Sequence, residues 1–103
     1  MAAARRLSRG VIALAAPLPE SQPRLAPGCR WATHQEKPVV LYPEGMIRVQ
    51  GTGQNILELC DGQRTVQQIV ATLAEKYGAD PAKVMNDVGS FLEALNHKRI
   101  VDY

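Results

Sequence analysis

The apolar spacing of this 103-residue chain changes period once, near Gly51. Upstream, Met46 to Gln50 alternates, with Ile47 and Val49 on one side and Met46, Arg48 and Gln50 on the other, the pattern of a half-buried strand. Downstream, Val66, Ile69, Val70, Leu73, Ala74 and Tyr77 recur at i, i+3, i+4, i+7, i+8 and i+11, the stripe of an amphipathic helix. One switch from sheet spacing to helix spacing in so short a chain restricts it to a single α+β domain with its strands first.

Turn and cap chemistry places the remaining elements. Pro27-Gly28 is a turn. Strands are expected over Arg30 to His34 and Val39 to Tyr42, joined by Gln35-Glu36-Lys37, with the third over Met46 to Gln50 after a Pro43-Glu44-Gly45 turn. Pro38 has no N–H for a ladder, so it belongs at a strand's first position or on an edge. A first helix is expected from Gly53 to Cys60, N-capped by Thr52 and stopped by Gly62. The second has a capping box, Thr65 with Gln68, and Gly78 at its end. The third starts with Asp80 as cap and Pro81 in the first turn, and Val84, Met85, Val88, Phe91, Leu92 and Leu95 form its stripe. Ile100-Val101 is expected to return to the core. The order β-β-β-α-α-α describes a fold of winged helix-turn-helix type.

Residues 1–26 read as a disordered Arg/Ala/Pro-rich N-terminal extension, and residues 27–103 as the folded domain. Arg5, Arg6 and Arg9 precede an apolar stretch, Val11 to Ala16, which Pro17 ends short of the usual h-region of about 7–15 residues. Charge is segregated along the chain. Residues 1–50 hold seven Lys/Arg against three Asp/Glu, and residues 51–95 hold three against six. The acidic helical half argues against nucleic-acid binding, which needs Lys and Arg on a recognition helix. No apolar run approaches the roughly 18 residues of a membrane span.

Catalytic chemistry is sparse. His34 and His97 have no partner at metal-ligand spacing, and Cys29 and Cys60 form no C-x-x-C pair. The two cysteines allow at most one disulfide, and their surroundings suit a reduced cytosolic chain, with Cys60 as a small core residue. Gly51-Thr52-Gly53 lacks the phosphate-binding patterns and reads as a strand-to-helix turn. The expectation is a protein that is not an enzyme and carries no metal or cofactor.

A run of segments resembles the PqqD family of pyrroloquinoline quinone biosynthesis. They are Pro23-Arg24-Leu25-Ala26-Pro27-Gly28, Leu41-Tyr42-Pro43-Glu44-Gly45, and Ile56-Leu57-Glu58-Leu59-Cys60-Asp61-Gly62 followed by Thr65-Val66 and Ile69. Tyr77-Gly78-Ala79, Asp87-Val88 and Phe91-Leu92-Glu93-Ala94-Leu95 continue the likeness, which covers about residues 23–101. The resemblance implies a non-catalytic chaperone of the bacterial cytoplasm, a recognition element for ribosomally synthesised, modified peptides (a RiPP recognition element). Such proteins bind the precursor peptide PqqA and present it to PqqE, a radical S-adenosylmethionine enzyme that joins a Glu and a Tyr side chain of the peptide. It also implies that the peptide adds as a strand beside the third strand, in a cleft closed by the third helix.

An open sheet edge is chemically suited to that mode, because its unpaired N–H and C=O groups accept a further strand. The same edge allows the chain to be a monomer or a homodimer. The candidate peptide-binding residues are Met46, Ile47, Arg48 and Val49 on the third strand and Val84, Asp87, Val88 and Phe91 on the third helix. Arg48 suits an acidic residue of the peptide and Asp87 a basic one. Three features depart from the family pattern: Gly51-Thr52-Gly53-Gln54 at the start of the first helix, Pro38 within a strand, and the long extension. The alternatives are a recognition element for another ribosomal peptide, and a winged-helix DNA-binding domain, against which Asp87 and Glu93 on the third helix count.

Overall fold

The structure, a computed structural model, describes residues 16–103. The elements in chain order are β1 (Arg24–Leu25), β2 (Arg30–His34), β3 (Lys37–Tyr42), β4 (Gly45–Arg48), α1 (Thr52–Glu58), α2 (Val66–Tyr77), α3 (Pro81–His97) and β5 (Val101–Asp102). Strands β2, β3 and β4 form an antiparallel sheet with β3 in the centre, and β1 pairs with β5 as a separate two-stranded sheet. The fold is therefore α+β, a three-stranded meander followed by three helices.

The meander takes its shape from its turns. Gln35 and Glu36 both have positive φ, 53° and 66°, so β2 and β3 are joined by a two-residue turn whose twist matches the strands. Across the sheet, Trp31 lies opposite Val40 and Val40 opposite Ile47. This row faces the helices, with Val40 fully buried in the core and Trp31 and Ile47 packed against it. The alternate row, Ala32, Val39 and Arg48, lies on the outer face.

Pro38 sits one residue inside the central strand, where it marks the end of pairing with β4. Its carbonyl accepts from the Val49 N–H at 3.3 Å, but it has no N–H to return the bond. The third strand thus stops at Arg48 and not at Gln50 as expected.

Helix α1 is shorter than its expected span and starts one residue earlier. Gly51, at φ 64°, occupies the N-cap without a side-chain bond, and Thr52 is the first helical residue. At the other end, the Leu59 and Cys60 N–H groups bond back to Ile56 and Leu57, tightening the last turn so that the helix ends at Glu58. The Cys60-Asp61-Gly62 motif builds the loop that follows. Asp61 Oδ1 accepts from the Gln63 and Arg64 N–H groups, both at 2.9 Å, and Oδ2 meets Arg64 Nη1 at 2.8 Å. These bonds hold the Asp61 carboxyl below its ordinary pKa of 3.8.

Helix α2 forms as its cap predicts. Thr65 Oγ1 accepts from the Gln68 N–H at 3.1 Å, and Gln68 Oε1 accepts from the Thr65 N–H at 2.8 Å. A cap of this kind contributes about 1 kcal/mol. Gly78 closes the helix at φ 61°, and Asp80 caps α3 by accepting from Ala82 N–H at 3.1 Å. Ile56, Leu57, Ile69, Leu73, Val88, Leu92 and Ile100 are buried to 2% exposure or less. Each such side chain contributes roughly 1.5–3 kcal/mol by leaving water. Cys60 also belongs to this core, and burial, with a smaller effect of Asp61, pushes its thiol up to about 12.

The folded part begins upstream of Pro27, and residues 1–15 of the expected extension lie outside the described residues. Pro23 is fully buried, and Arg24–Leu25 pairs with Val101–Asp102. The carbonyls of Pro19 and Ser21 accept from the Gln67 and Val66 N–H groups at 2.9 and 2.8 Å. A proline-rich strap lacks donors yet keeps its carbonyls, which are what the unpaired N–H groups of a helix start require.

Candidate functional site

Strand β4 is one of the two edges of the three-stranded sheet, β2 being the other, and no strand among the described residues pairs with its outer side. Its pairing with β3 fixes which backbone groups face outward. Pro38 and Val49 share a ladder bond, and Tyr42 faces Gly45 across the two-residue turn. Antiparallel ladders alternate, so Gly45, Ile47 and Val49 bond toward β3, while Met46 and Arg48 direct both N–H and C=O to the open side. Two residues thus offer four unpaired backbone groups to an incoming strand.

The side chains of this edge divide between the two faces. Met46 is 44% exposed, one of three large apolar side chains so uncovered among the described residues. Arg48 is exposed, and its Nη2 donates to Gln35 Oε1 at 3.1 Å. Ile47 is half-buried against the core, and Val49 is 4% exposed within it. On α3, Val88 is fully buried and Val84 nearly so, whereas Asp87 is exposed. Phe91 is half-buried, and its ring lies 3.0 Å from where a Cβ on Gly53 would stand. Gly53 in α1 therefore makes the room that Phe91 occupies between the helix start and α3.

The structure places five of these eight candidates in two neighbourhoods, and Met46, Ile47 and Phe91 in neither. Val84, Asp87 and Val88 line a cavity of about 190 Å³ together with Thr52, Ile56, Tyr77 and Lys83. Arg48 and Val49 line a second hollow of about 220 Å³ with Lys37, Pro38, Gln50 and Gln54. Gln35, Thr52, Tyr77 and Lys83 are not among the candidate peptide-binding residues that the sequence suggests. Gln35 has no local signal, because its reach to Arg48 depends on the positive φ of its turn. Tyr77 looked like one more member of a core stripe, but it is 45% exposed and its hydroxyl meets the Asn55 side chain. Among the described residues no group of three or more His, Cys, Asp or Glu is arranged to hold a metal, and no helix is long and apolar enough to cross a membrane.

Known proteins are similar to this chain in sequence and in fold. A protein from Methylococcus capsulatus named PqqA binding protein is 44% identical over 82 residues, covering 77% of this chain and 86% of its own. Another of the same name from Klebsiella pneumoniae is 44% identical over 64 residues, covering 62% of this chain and 68% of its own. The solution NMR structure of the PqqD part of Methylobacterium extorquens PqqCD, described as a functional and stand-alone RiPP recognition element, is 35% identical. It superposes with a TM-score of 0.66 over 79% of this chain and 88% of its own. TbiB1 in complex with the TbiA(β) leader peptide has a TM-score of 0.68 at 22% identity, over 77% and 94% of the two chains, a likeness of fold. The family model described as "Coenzyme PQQ synthesis protein D (PqqD)" matches residues 38–101, and this chain belongs to that family.

Proposed function

We propose that this chain is a non-catalytic peptide chaperone that binds the ribosomal precursor peptide PqqA by strand addition to β4 and presents it to PqqE for modification. The observation that carries the reading is the pair of outward-facing backbones at Met46 and Arg48 on an uncovered strand, in a chain whose relatives are named for binding PqqA. Backbone pairing supplies the sequence-tolerant part of the affinity. Met46, Ile47, Arg48, Asp87 and Phe91 supply direct contacts, and the buried Val49, Val84 and Val88 fix the strand and helix that carry them. The chain acts in the bacterial cytoplasm, and either a monomer or a homodimer is compatible with one free β4 edge per copy.

An NMR titration of isotope-labelled protein with synthetic PqqA, with a short DNA duplex as control, tests this. Saturable shifts centred on Met46 to Gln50 and on the Lys83 to Phe91 face of α3 are expected. Shifts with DNA alone would replace the reading with a winged-helix one. Silence with both would point to a different ribosomal peptide.

A further inference from the structure

The β2–β3 turn is built from residues that such turns avoid. Its two central positions both lie in the left-handed region, Gln35 at φ 53° and Glu36 at φ 66°. Two-residue turns of this class favour Asn-Gly, Asp-Gly or Gly-Gly, because Gly and Asn enter that region at little cost. A longer side chain held there is backbone strain, and strain of this kind points to a use for the side chain. Gln35 has such a use. Its Oε1 accepts from Arg48 Nη2 at 3.1 Å, the sole hydrogen bond of the Arg48 side chain among the described residues.

The place of that bond matters to an incoming strand. Arg48 lies opposite Val39 on β3, and Gln35 follows β2, on the far side of β3 from the β4 edge. The bond therefore draws the guanidinium back over the sheet, where Arg48 and Lys37 border one hollow of about 220 Å³. A strand added to β4 stands two strand spacings from β3, about 10 Å. Arg48 directs its own N–H and C=O to that strand, so the peptide residue opposite it carries its side chain on the same, outer face. A guanidinium lying over β3 does not reach that side chain, and to meet it Arg48 must leave Gln35. The acceptor it leaves is neutral. Glu36 stands beside Gln35 with a carboxylate, yet the only ion pair among the described residues is Arg64 with Asp61. The charge of Arg48 is thus held by an amide and not neutralised. An arginine N–H bonds about twice as strongly to a carboxylate as to a neutral oxygen, so a carboxylate displaces Gln35 where a neutral side chain does not.

We propose that Gln35 is a specificity-determining residue of the peptide site: it parks Arg48 over β3 and yields it to a peptide with Asp or Glu at the residue paired with Arg48. The inference rests on strand addition at β4 and gives that reading a register and a residue class. The peptide residues on either side of the paired one turn toward the helices. Of three successive peptide residues, Arg48 therefore reads the middle one.

The test measures affinity for synthetic PqqA, and for PqqA with each Asp or Glu replaced singly by Asn or Gln, across a series at position 35. Gln35→Gly and Gln35→Asn suit the turn and withdraw the acceptor, Asn being one methylene shorter, whereas Gln35→Glu makes the acceptor a charged competitor. PqqA affinity is expected to rise about threefold in Gln35→Gly and Gln35→Asn and to fall about fivefold in Gln35→Glu. One of the peptide replacements, and Arg48→Gln in the protein, should each abolish these differences. In NMR spectra the Gln35 side-chain amide should shift on adding PqqA and stay in place with that replaced peptide. A change in turn stability alone moves neither readout. Equal PqqA affinity across the series, with PqqA still bound, would overturn the proposal and leave the chaperone function standing. Differences that persist in Arg48→Gln would also overturn it, because Gln35 would then act by another route. Wild-type protein that does not bind PqqA would remove the chaperone reading and this proposal with it.

Discussion

The helical layer and the sheet treat their backbone groups in opposite ways. In α2 and α3 the N-terminal ends are closed: Thr65 and Gln68 cap α2, the carbonyls of Pro19 and Ser21 take its first two N–H groups, and Asp80 caps α3. In the sheet, β4 leaves the N–H and C=O of Met46 and Arg48 open. A small domain gains stability by satisfying polar groups and gains binding by leaving some unsatisfied in water. Here the two tasks fall to different layers.

Substitutions can break that division, beginning with the largest effect. Leu92→Ala, at a side chain with no exposure, is expected to lower unfolding free energy by about 2–5 kcal/mol in a denaturant titration. Its effect on PqqA affinity should disappear once the unfolded fraction is corrected for. Proline on β4 separates the layers more sharply. Ile47→Pro removes a ladder bond to β3 and should cost about 3 kcal/mol or more. Met46→Pro removes only an outward N–H; stability should change by about 1 kcal/mol or less while PqqA affinity drops about tenfold. Equal losses of stability from the two prolines would show that the outward assignment of Met46 is wrong.

Two weaker effects sharpen the account of the helical layer. The Asp61 carboxyl has a folded pKa below its ordinary 3.8, so its contribution is whole above that value. It is lost as pH falls through the lowered folded value. Acid unfolding of Asp61→Asn should therefore depend less steeply on pH below about 4 than that of the wild type, as followed by circular dichroism. Arg99 follows the end of α3 at φ 63°, a position that favours glycine. Arg99→Gly should raise thermal stability by about 0.5–1 kcal/mol without touching the β4 edge.

Much of this was legible in the sequence because it is local. The Thr65–Gln68 box, Asp80 with Pro81, and the stripe from Val66 to Leu73 each act within a few residues, and each forms as read. The misses are non-local. Pairing of Arg24–Leu25 with Val101–Asp102 involves two-residue strands too short to show a period, so residues up to Ala26 read as tail. Pro19 and Pro23 suggest a linker by composition, and only the fold reveals the need for their carbonyls, that of Pro19 at the start of α2 and that of Pro23 for the Gly62 N–H. For the candidate site, sequence placed strand β4 and helix α3 but not the partition of their side chains. Val49 and Val88 carry the same residue type as surface β-branched positions, and their burial is decided by what packs over them.

The β1–β5 pair sets Arg24, near the start of the folded part, opposite Asp102, near its end, in a sheet of their own. A module whose ends meet can be spliced onto either terminus of another chain, or into one of its loops, without straining that host. Tethering of that kind would replace an encounter between separate molecules with a high local concentration, set by linker length alone.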